Sequence, residues 1–353
     1  MIRRMLPIMN VDAPTIESES FLCRTPIGIF SVTNINGSLV DSVAANPAFV
    51  CERGIYRQRK FFTPSQQQTA DSFGFKWAKR DTFESPQMQA MFREWTYKRY
   101  HVTADALREM VRGRTVLDAG CGAALGALTT FGELLNECAY LGVDISTAVD
   151  VASTRFQERG IRGEFLQASL MEIPPELGNF DFVYSEGVLH HTDSTEAAIN
   201  CLAHRLNPGG HFMFYVYGKK APMREHADDY IREQIAPLSD PDAWKALEPL
   251  TKLGIALGQL GVEIDVPEPV EVLGIPAGKL DVQRLFYWYF CKAFYRPDFT
   301  LDEMNHINFD WYRPSNCHRQ TPEEVRHWVE QNGLDIITFD VALAGISVIA
   351  RRP

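Results

Sequence analysis

The chain has 353 residues, 45% hydrophobic and 23% charged, with 35 Lys and Arg against 45 Asp and Glu for a net charge of −10. This composition excludes bulk disorder and argues against nucleic acid as a partner, because no block of Lys or Arg is long enough to supply a basic face, Lys219, Lys220 and Arg224 forming a small local cluster. No apolar run approaches the roughly 20 residues of a membrane span, and Met1–Pro7 lacks the apolar core of a signal peptide. A cytoplasmic protein without a membrane partner is therefore expected, and a homodimer is compatible with the sequence.

Residues 1–63 carry β-branched residues and turn signals at Ile27–Phe30, Val32-Thr33, Asn36-Gly37 and Ile55-Tyr56, which predict a β-rich extension of short strands. Residues 64–111 become helical in pattern, with aromatics at Phe73, Phe75 and Trp77. Five strand patterns follow, at Thr115–Asp118, Tyr140–Asp144, Gly163–Gln167, Phe180–Tyr184 and His211–Tyr217, with helix-compatible stretches between them. Two more close the chain, at Asp335–Val341 and Gly345–Ala350. Strands alternating with helices at this spacing predict a doubly wound, mostly parallel α/β sheet of seven strands. Residues 218–319 interrupt the alternation and read as a helical insertion after strand five, a place where specificity is usually carried. The expected core is thus 112–217 with 320–353.

The seven cysteines are widely spaced and form no C-x-x-C pair. That argues against both a disulfide framework and a zinc site, so no metal is expected.

Val116-Leu117-Asp118-Ala119-Gly120-Cys121-Gly122 lies where the first core strand turns into a helix. Glycines there admit a ligand that a Cβ would block. A dinucleotide fingerprint requires another glycine three residues after Gly122, where Leu125 stands, and Asp118 would repel a pyrophosphate. A cationic ligand fits better. Asp144, closing the second core strand, can accept hydrogen bonds from ribose hydroxyls.

These motifs resemble the class I S-adenosylmethionine-dependent methyltransferases. The V-L-D-A-G-C-G turn is similar to that family's first motif, and Asp144-Ile145-Ser146 to its second. Phe180 to His191, with its Leu-His-His ending, is similar to the fourth, and Leu206-Asn207-Pro208-Gly209-Gly210 to the loop before strand five. The resemblance implies S-adenosyl-L-methionine as cofactor, with Gly120 and Gly122 beneath its methionine part. Asp118 would lie near the amino group, Asp144 and Ile145 at the ribose, and Ser185 to Val188 along the pocket opposite the methyl. Ser169 occupies the place of the family's adenine-binding acid, which leaves the backbone at Leu170 to serve instead. Phe73 and Trp77, from helices closing over the site, would shield the sulfonium. Phe21-Leu22-Cys23 and Gly54-Ile55-Tyr56 resemble a degenerate zinc-ribbon leader.

Methyl transfer needs alignment and, for a hydroxyl acceptor, a base. Glu225, Asp228, Asp229 and Arg232 fall at helical spacing, either as surface salt bridges or as site residues. The stretch Glu303 to Pro314 has no amphipathic period and reads as a polar loop. It holds His306, expected to titrate near neutrality and to be oriented by Asp310 and the neighbouring asparagines, together with Trp311 and Tyr312. His306, Asp310 and Glu225 are the candidate bases. Tyr217, Lys219, Arg224, Trp311, Tyr312 and Arg319 are the candidate contacts to a small polar or anionic acceptor. A catalytically silent cofactor-binding subunit, or C-methylation of an aromatic or prenyl metabolite, are the alternative functions.

Overall fold

The computed structural model describes residues 38–59 and 63–353. The β patterns before residue 38, and Cys23 with them, lie outside the described residues. The described residues belong to one compact unit.

A hairpin opens the described chain, β1 (Phe49–Glu52) and β2 (Ile55–Gln58), with Arg53 and Gly54 at positive φ in its turn. Helices α1 (Pro64–Ala78), α2 (Pro86–Tyr100) and α3 (Ala104–Val111) follow, each begun by a Ser or Thr whose hydroxyl accepts a backbone N–H. The alternating core runs β3 (Thr115–Ala119), α4 (Leu125–Thr130), β4 (Ala139–Asp144), α5 (Ala148–Glu158), β5 (Glu164–Gln167), β6 (Phe180–Glu186), α6 (Thr195–Ala203) and β7 (Leu206–Tyr217). Next come α7 (Pro222–Ile235), α8 (Asp240–Leu260), the hairpin β8 (Glu263–Val266) and β9 (Gly278–Asp281), α9 (Val282–Tyr289) and α10 (Leu301–Tyr312). The chain closes on α11 (Pro322–Gln331), β10 (Asp335–Val341) and β11 (Gly345–Arg351).

The main sheet has the order β1-β2-β5-β4-β3-β6-β7-β11-β10, parallel from β2 to β7 and antiparallel at both ends. The expected seven core strands are there, but the sheet has nine. The β1–β2 hairpin adds itself to the β5 edge, Tyr56 opposite Leu166 and Arg57 opposite Gln167. Arg57 fastens the join by donating to Gln167 Oε1 and Asp150 Oδ1, both at 2.6 Å. This edge-covering is a long-range pairing that no local pattern announces.

Alternation along the strands sends successive side chains to opposite faces. On β7, Met213, Tyr215 and Tyr217 enter one core, while Phe212, Phe214 and Val216 enter the other. The order reverses at β3, which has β4 on one side and β6 on the other. A doubly wound sheet opens a crevice at such a point, beyond the carboxyl ends of its strands.

Two expectations need correction. The insertion is not wholly helical, since it includes the antiparallel β8–β9 pair. The Glu303–Pro314 stretch is not a loop. It is α10, with a Thr300/Glu303 capping box, and nine of its twelve residues are buried. A helix packed on all sides carries no amphipathic stripe, so the missing period misled. Among the described residues, no helix is long and apolar enough to cross a membrane.

Candidate active site

A cavity of about 790 Å³ lies at the switch point, lined from the core by Asp118, Gly120, Asp144, Ile145, Ser169 and Leu170. Phe73, Lys76 and Trp77 of α1 cover it, and Tyr217, Lys220, Arg224, Lys292, His306, Asp310 and Trp311 close its other end.

The glycine turn is shaped by close approach. Gly120 has φ +85°, and a Cβ there would overlap the Val188 side chain. Gly122, at φ +50°, does not line the cavity; a Cβ on it would come 2.7 Å from Trp77 Nε1. The α1 indole thus rests directly on the turn. Asp118 is 3% exposed, accepts a 2.6 Å hydrogen bond from Tyr140, and burial pushes its carboxyl up to about 7. Asp144 accepts from Gly122 N at 2.8 Å on Oδ2, and from Ser146 N at 2.8 Å and Ser146 Oγ at 2.6 Å on Oδ1, which leaves a lone pair on Oδ2. Burial raises its pKa against those hydrogen bonds. Neither acid has an ion-pair partner among the described residues. Ser169 donates its N–H to Gln58 Oε1 at 3.0 Å, so the hairpin reaches this end of the cavity.

Ser185 does not line the cavity. It is fully buried, and its hydroxyl donates to the Ala119 carbonyl at 2.8 Å, pinning β6 to β3. Its neighbours Glu186, Gly187 and Val188 do line it. Phe73 and Trp77 face the cavity, whereas Phe75 packs in the core against Trp244 and Phe309. The cation over the Trp77 ring is the chain's own Lys76 Nζ, 4.0 Å from the centroid.

Lys76 pairs with Asp310, whose other oxygen accepts from Tyr217 at 2.7 Å. Burial pushes the Asp310 carboxyl up, but Lys76 first, then His191 and Lys292, hold it well below the usual range. Asp310 is therefore a fixed anion rather than a base, and it does not orient His306. That ring's Nδ1 lies 2.8 Å from Thr82 Oγ1, whose own proton goes to the Lys79 carbonyl. Nδ1 must then carry the hydrogen, leaving Nε2 a bare acceptor with no protein partner. Burial, then Lys76, keep His306 neutral, well below its ordinary pKa, which overturns the expectation that it titrates near 7. The neighbouring asparagines face elsewhere: Asn305 donates to the Trp244 carbonyl and Asn308 to Thr251 Oγ1.

His191, in the Leu-His-His turn, was not among the expected site residues. Its Nδ1 is 2.7 Å from the Asn316 carbonyl, which likewise leaves an unpartnered Nε2 beside the cavity, and burial lowers its pKa to about 4. Lys76 and Lys292 were missed as well. Lys76 sits in an aromatic helix and Lys292 just after one, and nothing local marks either.

Glu225, Lys219 and Arg319 stand outside the cavity lining. Glu225 accepts from Arg319 Nε at 2.9 Å and from Lys220 N at 2.7 Å, Arg319 also binds Asp229, and Lys219 is exposed. Tyr312 is buried behind the wall, donating to Asp228 Oδ1 at 2.7 Å. Asp228, one of the helically spaced acids, is 1% exposed rather than on the surface. Among the described residues, no group of three or more His, Cys, Asp or Glu is placed to hold a metal.

Residues 116–210 match the methyltransferase domain family, and this stretch runs from the glycine turn through the ordered motifs to the start of β7. The chain is 31% identical over 108 residues to a ubiquinone biosynthesis O-methyltransferase of Marinobacter nauticus, a match covering 30% of this chain and 44% of that one. It is 29% identical over 162 residues to an uncharacterized Synechococcus protein, covering 45% of this chain and 34% of the other. It thus spans less than half the length of these curated relatives. A solved structure with similar architecture is magnesium protoporphyrin IX methyltransferase from Synechocystis PCC 6803, 13% identical at a TM-score of 0.44, with 84% of this chain and 100% of that chain covered.

Proposed function

We propose that the protein transfers a methyl group from S-adenosylmethionine to a small-molecule acceptor. The observation that carries this is the pair of buried, unpaired acids at the carboxyl ends of β3 and β4, beside a glycine turn. Two carboxylates without a counter-ion suit a cationic nucleoside and repel a pyrophosphate. When bound, S-adenosylmethionine supplies a methyl already activated for direct displacement. Asp144 would accept from a ribose hydroxyl through the lone pair left on Oδ2. Asp118 would meet the amino group, and Leu170 the adenine through its backbone. Segment 64–111 acts as the cap, with Trp77 closing the glycine turn, and 218–319 acts as the acceptor lid.

For a hydroxyl acceptor, the proton leaves to Nε2 of His306. Its tautomer is set by Thr82, and its ring packs 5.3 Å from Trp77, the residue that touches the turn. His191 Nε2 is the second bare acceptor. Calorimetry with S-adenosylhomocysteine tests the cofactor site: Asp144→Ala should weaken binding by about 1.5–3 kcal/mol. Turnover over a panel of small acceptors tests the base. His306→Ala should cut kcat by about 10²–10⁴-fold at unchanged cofactor affinity. Unchanged cofactor affinity in a folded Asp144→Ala variant rejects the cofactor assignment, and full turnover in His306→Ala rejects the base.

A further inference from the structure

The acceptor end of the cavity gathers three basic side chains on one aromatic ring. Lys220 Nζ, Arg224 Cζ and Lys292 Nζ lie 5.4, 5.2 and 4.9 Å from the ring centroid of one indole, Trp311. All three cations line the cavity. Three acids stand near them, and all are engaged. Asp228 accepts four hydrogen bonds, from Arg224 Nε at 3.1 Å, Trp311 Nε1 at 2.8 Å, Tyr312 Oη at 2.7 Å and the Lys292 backbone N–H at 3.1 Å. Asp310 is taken by Lys76 and Tyr217. Glu225, one turn from Asp228, accepts from the Lys220 backbone N–H at 2.7 Å and pairs with Arg319 through its other oxygen.

What remains on the cations is unclaimed donor capacity. Arg224 is 1% exposed, and its Nη1 is buried with no hydrogen-bond partner. Among the described residues, the Lys292 ammonium forms no ion pair and no hydrogen bond, although the residue is 6% exposed. Lys220 Nζ is held by the carbonyls of Leu343 and Ala344, two of its three donors. A buried guanidinium nitrogen left bare is costly. Arg232, a fourth cation over the Trp311 ring at 5.1 Å, is paired with Asp229, whereas Lys220, Arg224 and Lys292 face the cavity and disfavour one another's charge. Planar Arg donors and two ammonium groups match the oxygens of a carboxylate or phosphate.

We propose that Lys220, Arg224 and Lys292 form an oxyanion subsite that selects acceptors bearing a carboxylate or phosphate, an inference that rests on the cavity being the acceptor site of a methyltransferase. The surrounding Tyr287, Trp288 and Trp311 rings give the anion an apolar, aromatic setting, so the anionic group is carried on an apolar body. Burial is the first cause lowering both lysines: Lys292 falls to about 7, with Arg224 acting the same way against the pull of Asp310 and Asp228, and Lys220 falls well below its ordinary value, with Arg224 and Lys292 adding to the effect. An incoming oxyanion reverses that and draws a proton onto Lys292.

The test is calorimetric binding of benzoate, phenyl phosphate and neutral benzamide, with and without saturating S-adenosylhomocysteine. The expected result is an oxyanion probe binding about 10- to 100-fold more tightly than benzamide. Proton uptake should appear in buffers of different ionisation enthalpy above pH 7. Whichever of the two anions is preferred names the group. Lys292→Met should bring the favoured anion to the benzamide level, and Lys292→Arg should restore most of the preference. Equal binding of anion and amide by the wild type, or an anion preference that survives in folded Lys292→Met, overturns the subsite. Absence of S-adenosylhomocysteine binding instead overturns the cofactor reading, and the anion measurements without it still decide the subsite.

Discussion

Asp118 shows how burial converts a common side chain into a responsive one. Its carboxyl faces Tyr140, Asp144 and Glu186, and burial lifts it to about 7. A cation favours the ionised form. The ionised fraction of the free protein grows as pH rises through about 7, so affinity for S-adenosylmethionine should rise over the same interval and level off above it. Calorimetry at pH 6 and pH 8 measures this, and Asp118→Asn should flatten most of the slope. A slope unchanged in Asp118→Asn would move the dependence to another group. His306 teaches the opposite lesson. A histidine read from sequence carries its ordinary pKa, but desolvation and Lys76 hold this one neutral, and only a three-dimensional neighbour, Thr82, decides which nitrogen is free.

At the scale of elements, the acceptor wall depends on how closely α8 lets the chain after α9 approach. Gly254, buried in α8, faces the backbone of Ala293, and a Cβ there would come 2.7 Å from the Ala293 carbonyl oxygen and 2.9 Å from its carbon. That carbonyl also accepts from Gln283 at 2.8 Å, so it is not free to retreat. Lys292, the preceding residue, is placed by the same contact. In an open helix Gly→Ala stabilises by roughly 0.5–1 kcal/mol. Here overpacking against backbone should dominate, and Gly254→Ala should destabilise by about 1–3 kcal/mol. Urea denaturation measures the sign directly, and a stabilised variant would mean that the contact relaxes. α10 belongs to the same scale. Asn305 and Asn308 bind α8, His306 faces the cavity, and Trp311 with Tyr312 meets Asp228 of α7. Polar residues on several faces of a buried helix form satisfied networks that a period-based reading of sequence takes for a loop.

At the scale of the whole molecule, the β1–β2 hairpin extends the sheet by pairing with β5, and Arg57 is its fastening. The Arg57 side chain is 14% exposed and donates to Gln167 and Asp150. Arg57→Ala should cost about 1–3 kcal/mol, as for hydrogen bonds to charged groups. Hydrogen exchange should rise at β5 before it does at β3 or β4. Protection at β5 equal to the wild type would show that the hairpin is held by other contacts. The sequence by itself determined the alternating core, its seven strands, the glycine turn with Asp118 and Asp144, and the resemblance that the domain match bears out. These are local signals, a strand period or a short motif, and each is complete within a few residues. The ninefold sheet, the buried α10, and the meeting of Lys220, Arg224 and Lys292 on Trp311 were decided by tertiary structure alone. Lys220 lies just after β7, Arg224 on α7, Lys292 in the segment after α9 and Trp311 on α10, and their charges acquire meaning only when packing removes water and brings them together.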